Sequence, residues 1–362
     1  MRSVTRKLAM TSAVAAAALG AVMASNGAAM ADPASTPAAG SIVAVGSDTI
    51  QSFDNGLSTQ YNGSTPTPAS KFYSWDATGT SPITPKTGCD TTATPPGAGE
   101  INRPNGSGSG ITALNNTDYT CVDIARSSRP PNTGTTDYFI PFASDAVGWS
   151  AYTGGNAPSN LTSAELKGIY NCTYTTWNSL PTDPTSSTDT IKVYVPQSGS
   201  GTRSFFLNAL GITATSEPCW QSVTPEENEG TDAAFTGNTD AIFPYSLSHY
   251  VGQVYDSKGG GSDLPGSLDA VRSLDSTQQI LTATKVWNNA LSLTYTRNVF
   301  HVVREADWNG TGPGGATEQS HLKALLDRSS NSGYLCTNGA SLITSYGFQT
   351  LSHGCGTLQP GV

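Results

Sequence analysis

The chain has 362 residues, of which 12% are charged, and its formal net charge is −9. That charged share is about half of what soluble domains carry, which excludes coiled coils and highly charged helical bundles, and the acidic balance excludes a nucleic-acid binder built on a basic stripe. A hydrophobic share of 36% with 6 Trp, 14 Tyr and 10 Phe excludes disorder throughout, and the length accommodates two domains.

Residues 1–31 read as a targeting segment. Arg2, Arg6 and Lys7 form a basic start, Leu8 to Met23 is an apolar, Ala-rich run, and Ala29-Met30-Ala31 offers a cleavage site before Asp32. No cysteine stands at the cleavage point, so a lipid anchor is not expected. Cleavage removes three positive charges and leaves a net −12. No later run is apolar for the ~20 residues that a membrane span needs. The expected location is therefore secreted or extracellular, without a membrane span.

Residues 32–40 read as a flexible leader. Ser41 to Val45 is a short β-run, and Ile50 to Tyr61 a helix capped by Asp48 or Thr49. Lys71 to Trp75 is a second strand. Residues 76–100 form a Thr/Pro/Gly-rich surface insertion. Asn105 to Gly110 is a Gly/Ser turn leading into Ile111 to Asn115, and Val122 to Ala125 is a strand ending in Arg126-Ser-Ser-Arg129. Tyr138 to Phe142 and Ala146 to Tyr152 are two β-like stretches. Thr162 opens a helix over Ser163 to Tyr170, with Glu165 at capping-box spacing. Ile191 to Val195 is a strand, and Ser198-Gly-Ser-Gly-Thr202 leads into a helix from Arg203 to Leu210. Strands follow at Ala241 to Pro244 and Val299 to Val303, with a last helix at Glu318 to Asp327. Strands alternating with helices, joined by glycine-rich turns, indicate an α/β fold.

Six cysteines, all beyond the leader, read as disulfides in an exported chain. They allow 15 pairings. Sequential pairing keeps each bridge local: Cys89 with Cys121, Cys172 with Cys219, Cys336 with Cys355.

The sharpest chemical signal is Ser198 to Thr202. Glycines let backbone N–H groups approach a ligand, hydroxyls add donors, and the helix that follows presents its positive end to an anion. Arg203 in the first turn opposes the helix dipole, which points to a carboxylate or bound anion nearby. Gly46-Ser-Asp-Thr49, Gly106 to Ser109 and Arg126 to Arg129 repeat the design at strand ends, where open α/β sheets bind ligands. Of the eight arginines beyond the leader, Arg103, Arg126, Arg129 and Arg203 lie within three residues of these turns or strand ends. Gly310 to Gly315 fits G-x-G-x-x-G but lacks the acidic residue ~20 positions on that a dinucleotide site needs. The four histidines show no metal-ligand spacing. No cofactor is indicated, and no nucleophile motif is present.

In order and spacing these segments resemble the phosphate-binding proteins of ABC transporters, in particular a secreted actinobacterial branch. The resemblance covers nearly the whole chain beyond the leader. It is carried by Val45-Gly-Ser-Asp-Thr-Ile-Gln51, Gly106 to Gly110, Ile140 to Val147, Asn160-Leu-Thr with Gly168-Ile-Tyr and Trp177, Ser198 to Arg203, and Asp240 to Ser246. It implies a type II periplasmic binding protein fold of two lobes, 41–142 plus 299–362 and 143–298, each a mixed sheet flanked by helices, with the ligand in the cleft between them. It also implies a monomer that hands its ligand to a permease. Carried over, the ligand-binding residues are Thr49, Ile50, Ser107, Ser200, Gly201 and Thr202, with Ser109, Ser128, Arg129 and Arg203 nearby. Two positions depart from the family pattern: Pro196 stands where an arginine is usual, and Ser128 where an aspartate accepts the proton of phosphate. Asp48 is the candidate replacement acceptor, and Arg126, Arg129 and Arg203 are the candidate cations. Three other readings remain: a binder of another anionic ligand such as a phosphate ester or organic acid, a secreted hydrolase using Ser200 or Ser109, and a cell-wall or interaction protein that kept the fold but lost the site.

Overall fold

The computed structural model describes residues 32–89, 99–116, 121–327 and 333–359. The targeting segment lies outside these. Strand β1 (Ile42–Gly46) leads to α1 (Asp48–Asn62), then β2 (Phe72–Ser74), α2 (Gly106–Asn115), β3 (Ile124–Ser127) and the long β4 (Tyr138–Tyr152). Next come β5 (Asn160–Leu161), α3 (Ser163–Tyr170), β6 (Lys192–Val193), α4 (Gly201–Ala209), β7 (Ala241–Ser246) and α5 (Leu247–Tyr255). Five two-residue strands follow: β8 (Leu268–Asp269), β9 (Ser273–Leu274), β10 (Thr277–Gln278), β11 (Ile280–Leu281) and β12 (Val286–Trp287). The chain closes with β13 (Thr296–Val303), α6 (Glu305–Trp308), α7 (Gly315–Leu326), α8 (Tyr334–Asn338), α9 (Ala340–Ser345) and β14 (Gln349–Thr350).

The main sheet runs β2-β1-β3-β13-β4-β7-β6. Strands β2, β1 and β3 are parallel, as are β7 and β6, while β13 and β4 run against their neighbours. Strand β4 ties the halves together. Its first part, Tyr138 to Ala146, pairs with β13, and its second, Val147 to Ala151, pairs with β7. The sequence reads this strand as two pieces, because Ser144 and Asp145 interrupt the apolar run. In the structure Asp145 is buried against Arg297, directly across the ladder, so the polar step is internal.

Hydrophobic burial follows the same division. One core gathers residues from Ala146 to Tyr295 around Trp149, Trp177 and Phe243. Two others draw on residues up to Ala143 and from Val299 onward, around Phe53, Phe142 and Val302. Fully burying side chains of this size contributes about 1.5–3 kcal/mol each.

Local signals explain several elements. Thr162 and Glu165 form the reciprocal capping box their spacing predicts. Helix α1 begins earlier than expected: Ser47 is its N-cap, so Asp48 and Thr49 lie in its first turn. All three sequential disulfides are present. Residues of the 32–40 leader touch the body of the protein. Asp32 takes a bidentate ion pair from Arg103, and the Pro37 carbonyl accepts from Thr87 N. Among the described residues no helix is long and apolar enough to cross a membrane.

Candidate anion cradle

Three helices start at one place. Strand β1 delivers Ser47 and Thr49 at the start of α1. Asn105 and Gly106 deliver Ser107 at the start of α2. The loop after β6 delivers Ser200, the N-cap of α4, and Thr202. The strand end of β3 adds Ser128. Helices α2 and α4 begin back to back, with Gly108 N donating to Gly199 O at 3.2 Å. Gly106 has φ +88° and abuts the Gly199 carbonyl so closely that no side chain fits there.

The donors of these turns meet on a single carboxylate. Glu227, fully buried, accepts at Oε1 from Thr49 N (3.2 Å), Thr49 Oγ1 (3.2 Å) and Ser47 Oγ (3.4 Å). At Oε2 it accepts from Thr202 N (3.1 Å) and from the Ser200 hydroxyl. A carboxylate accepts only, and the free N–H groups and positive ends of helices suit it. The cradle spans both halves of the molecule, and Thr49 Oγ1 lies 3.1 Å from Thr202 Oγ1 across the divide. Beside it Ser128 Oγ is 3.1 Å from Ser47 Oγ and 3.2 Å from Ser107 Oγ.

The Arg297 guanidinium reaches a cradle hydroxyl. Arg297 Nη2 donates to Thr202 Oγ1 at 3.0 Å, and Nε and Nη2 donate to Asp145 Oδ2 at 3.0 and 2.8 Å. Its Nη1 is buried without a hydrogen-bond partner. Asp145 also accepts from Ser246 Oγ and Ser248 N, so its charge is well satisfied.

A second polar layer lies behind. His249 Nε2 is 2.5 Å from Asp263 Oδ1, and Nδ1 is 3.2 Å from Thr49 O. Gln253 Nε2 and Ser52 Oγ donate to the same Asp263 carboxylate. Asn228 Nδ2 donates to Thr49 Oγ1 and Asp48 Oδ2. Burial opposes charge on His249, but Asp263 beside it, Asp48 and the Thr49 carbonyl push its pKa up to about 10. Burial, with the nearby Asp263, Glu227 and Glu229 carboxylates, holds Asp48 well above the usual carboxylate range against the pull of His249.

The structure brings Thr49, Ser107, Ser128, Ser200, Gly201 and Thr202 together. Ser109 sits further along α2, against Gly199. Ile50 is buried in the core beneath the turn. Asp48 lies behind the cradle, and its Oδ1 has no hydrogen-bond partner. Among the described residues none of the arginines singled out by sequence donates to the cradle carboxylate or its hydroxyls. Arg203 donates to the Pro196 and Thr215 carbonyls and lies over the Trp220 ring. Its place in the first turn thus serves main-chain oxygens. Arg129 donates to Asn132 and Pro130 O. Arg126, fully buried, holds the first turn from beneath through Ser47 O and Ser74 Oγ. Arg103 is engaged by Asp32.

Sequence reasoning missed Glu227, Asn228, His249 and Arg297. Glu226-Glu227-Asn228-Glu229 is a dense acidic run in a charge-poor chain, and that was the available signal. Arg297 has no local signature.

Residues 31–242 match the family model described as PBP superfamily domain. Among solved structures the chain is similar to an ABC-type phosphate transport receptor from Vibrio cholerae, at 18% identity and a TM-score of 0.50, covering 86% of this chain and 100% of that one. It is also similar to a putative phosphate ABC transporter substrate-binding protein with bound phosphate from Clostridium perfringens, at 15% identity and a TM-score of 0.55, with the same coverage of 86% and 100%. At such identities the likeness is one of fold, the two-lobed α/β arrangement with a mixed sheet flanked by helices. No curated protein matches the sequence.

Proposed function

The chain belongs to the PBP superfamily, and from that membership we propose that it captures inorganic phosphate, or an oxyanion of similar shape, between two lobes for uptake by an ABC-type permease. The lobes are 41–142 plus 299–362 and 143–298. The observation that carries this reading is the pair of helix-start amides, Thr49 N and Thr202 N, which hold one buried carboxylate from opposite sides with three hydroxyls. A site that fully saturates a carboxylate offers a phosphate what it needs: many converging donors in a dry setting, where each bond is strengthened. Arg297 supplies the nearby positive charge, with Nη1 unengaged by hydrogen bonds. The Clostridium perfringens structure of this fold holds phosphate.

The protein works as an exported monomer. The targeting segment and the three disulfides support export, since such bridges persist in oxidising compartments. No covalent chemistry is assigned. The hydrolase reading asks for a histidine within hydrogen-bond reach of the serine. Among the described residues no hydrogen bond joins a histidine to Ser200 or Ser109, and His249 is engaged by Asp263 and Thr49 O.

Calorimetric titration of the dialysed protein with phosphate, sulfate and arsenate tests the reading. Saturable 1:1 phosphate binding is expected. Absence of heat with all three anions would overturn it.

A further inference from the structure

The geometry points to Glu227 as a built-in competitor: a tethered carboxylate that fills the oxyanion cradle and must be displaced for an anion to enter. This rests on the capture reading above and adds to it how access to the site is set.

The cradle donors cannot serve two anions at once. Thr49 N, Thr49 Oγ1, Ser47 Oγ, Ser200 Oγ and Thr202 N all end on Glu227. They are the same groups that a captured oxyanion would use. Glu227 arrives on a stretch without regular structure, between Gln221 and Gly230, where Val223 is half exposed. Such a segment moves more readily than a helix or strand.

Its docking is specific. Glu227 N donates to Gln197 Oε1 at 3.1 Å. Asn228 takes a left-handed φ of 65° and its carbonyl accepts from Gln253 Nε2 and the Tyr245 hydroxyl. Glu226 Oε1 accepts from Asn105 Nδ2 at 2.9 Å. Yet the segment brings three acids into the interior. Burial raises the Glu226 pKa, and burial together with Asp263 and Glu226 raises that of Glu229 to about 7 against its Ser262 hydrogen bond. The docked segment is thus held against its own charge, and five of the donors that hold it are ones an incoming anion can take.

A tetrahedral oxyanion has four oxygens to the carboxylate's two. It can also draw on the Ser107 and Ser128 hydroxyls, which here lie within hydrogen-bond reach of each other. Apparent affinity is then the intrinsic affinity scaled down by the undocked fraction.

Two measurements on the full chain test this. The first is amide hydrogen exchange of the wild-type protein with and without phosphate. Phosphate is expected to speed exchange across 226–231 while Thr49 and Thr202 stay protected. The second compares wild type with Glu227→Ala and the volume-preserving Glu227→Gln. Without anion, Glu227→Ala should lose at least about tenfold protection at both Thr49 and Thr202, and Glu227→Gln, which keeps one acceptor oxygen, at one of the two. Both should gain at least about tenfold in phosphate affinity, as expected when a state-selecting competitor is removed. Unchanged exchange across 226–231 on phosphate addition, or an affinity that stays level or falls in the variants, overturns the competitor. Lost protection in the variants with no phosphate binding by any of the three proteins supports Glu227 as the occupant and overturns the phosphate reading instead.

Discussion

His249 Nε2 stands 2.5 Å from Asp263 Oδ1, both side chains buried between the halves of the molecule. The pair gives stability a definite pH dependence. The folded His249 pKa is raised to about 10 from an ordinary 6.5. A raised pKa means that the folded state keeps a proton which the unfolded chain releases. The stabilisation is therefore complete below about pH 6.5 and lost as pH rises toward 10. Urea unfolding at pH 6, 8 and 10 should show stability falling across that window in the wild type, with a much flatter profile in His249→Gln. An equal slope in both proteins would place the titration elsewhere.

Glu229 predicts a second slope at lower pH. Its folded pKa of about 7 exceeds the ordinary 4.5, here because burial favours the neutral, protonated carboxyl. Docking of the 221–230 segment should thus be strongest below about pH 4.5 and weaken as pH rises to 7. Amide exchange over this segment should accelerate between pH 5 and 7, after correction for intrinsic rates. Glu229→Gln should remove that acceleration. A Glu229→Gln profile identical to the wild type counts against the assignment.

Arg297 is expected to matter twice. Its guanidinium is paired with Asp145 in a site where both side chains are almost fully buried, and removing one partner strands the other charge. Such losses run to about 3–5 kcal/mol. Arg297→Met should lower stability by that order, seen as a reduced urea midpoint. Arg297→Lys keeps the charge but not the fork that serves Asp145 and Thr202 together. It should fold and bind phosphate at least about tenfold more weakly, the equivalent of one charge-assisted hydrogen bond. Unchanged affinity in a folded Arg297→Lys would remove Arg297 from the site.

Much of this architecture was legible from short-range signals. The capping box at Thr162 and Glu165 acts within one helical turn, so its spacing is visible in the chain. Sequential cysteine pairing and the Gly/Ser turns at strand ends are equally local. What escaped depends on distant partners. Asp145 breaks an apolar run unless Arg297, 152 positions away, is known to face it. Glu227 meets Thr49 across 178 positions. Helix α5 carries Tyr and Val residues that favour strands, and its burial against β4 and β7 overrides that preference. Strands β8 to β12 are two residues each, too short for any alternation to register. The arginines misled because nearness in sequence to a turn says nothing of where a long side chain ends.

Ser200 separates capping from ligand binding. Its Oγ accepts from Arg203 N at 2.9 Å, capping α4, and donates to the cradle carboxylate. Loss of an N-cap costs about 1 kcal/mol. Ser200→Ala should therefore lower stability by about that amount. It should also weaken phosphate binding, because the donor to the anion goes with the cap. Ser200→Gly restores most of the cap's backbone preference at a cost of only a few tenths of a kcal/mol but returns no hydroxyl. Stability should partly recover in that variant while affinity does not. Parallel recovery of both would mean that Ser200 acts only through the helix.

Gly201 tests whether the cradle is shaped by close approach. It opens α4, and a Cβ there would run into the Ser107 and Ser128 hydroxyls. These hydroxyls lie 3.2 Å from each other, and Ser107 Oγ also accepts from Ser128 N at 3.0 Å, so a retreat of Ser107 Oγ gives up hydrogen bonds. Gly201→Ala gains helix propensity of up to about 1 kcal/mol in a free helix. Here the clash forces α4 away from α2 and moves Thr202 N off the point it shares with Thr49 N. Misplacement of that size costs binding more than stability, because the two amides act together on one anion. The expected result is a folded protein with intact disulfides and at least about tenfold weaker phosphate binding, and a wild-type affinity would show that the hydroxyls yield without consequence. Ser107→Ala in the Gly201→Ala background relieves half of the clash and should restore part of the lost affinity, whereas two independent effects would simply add.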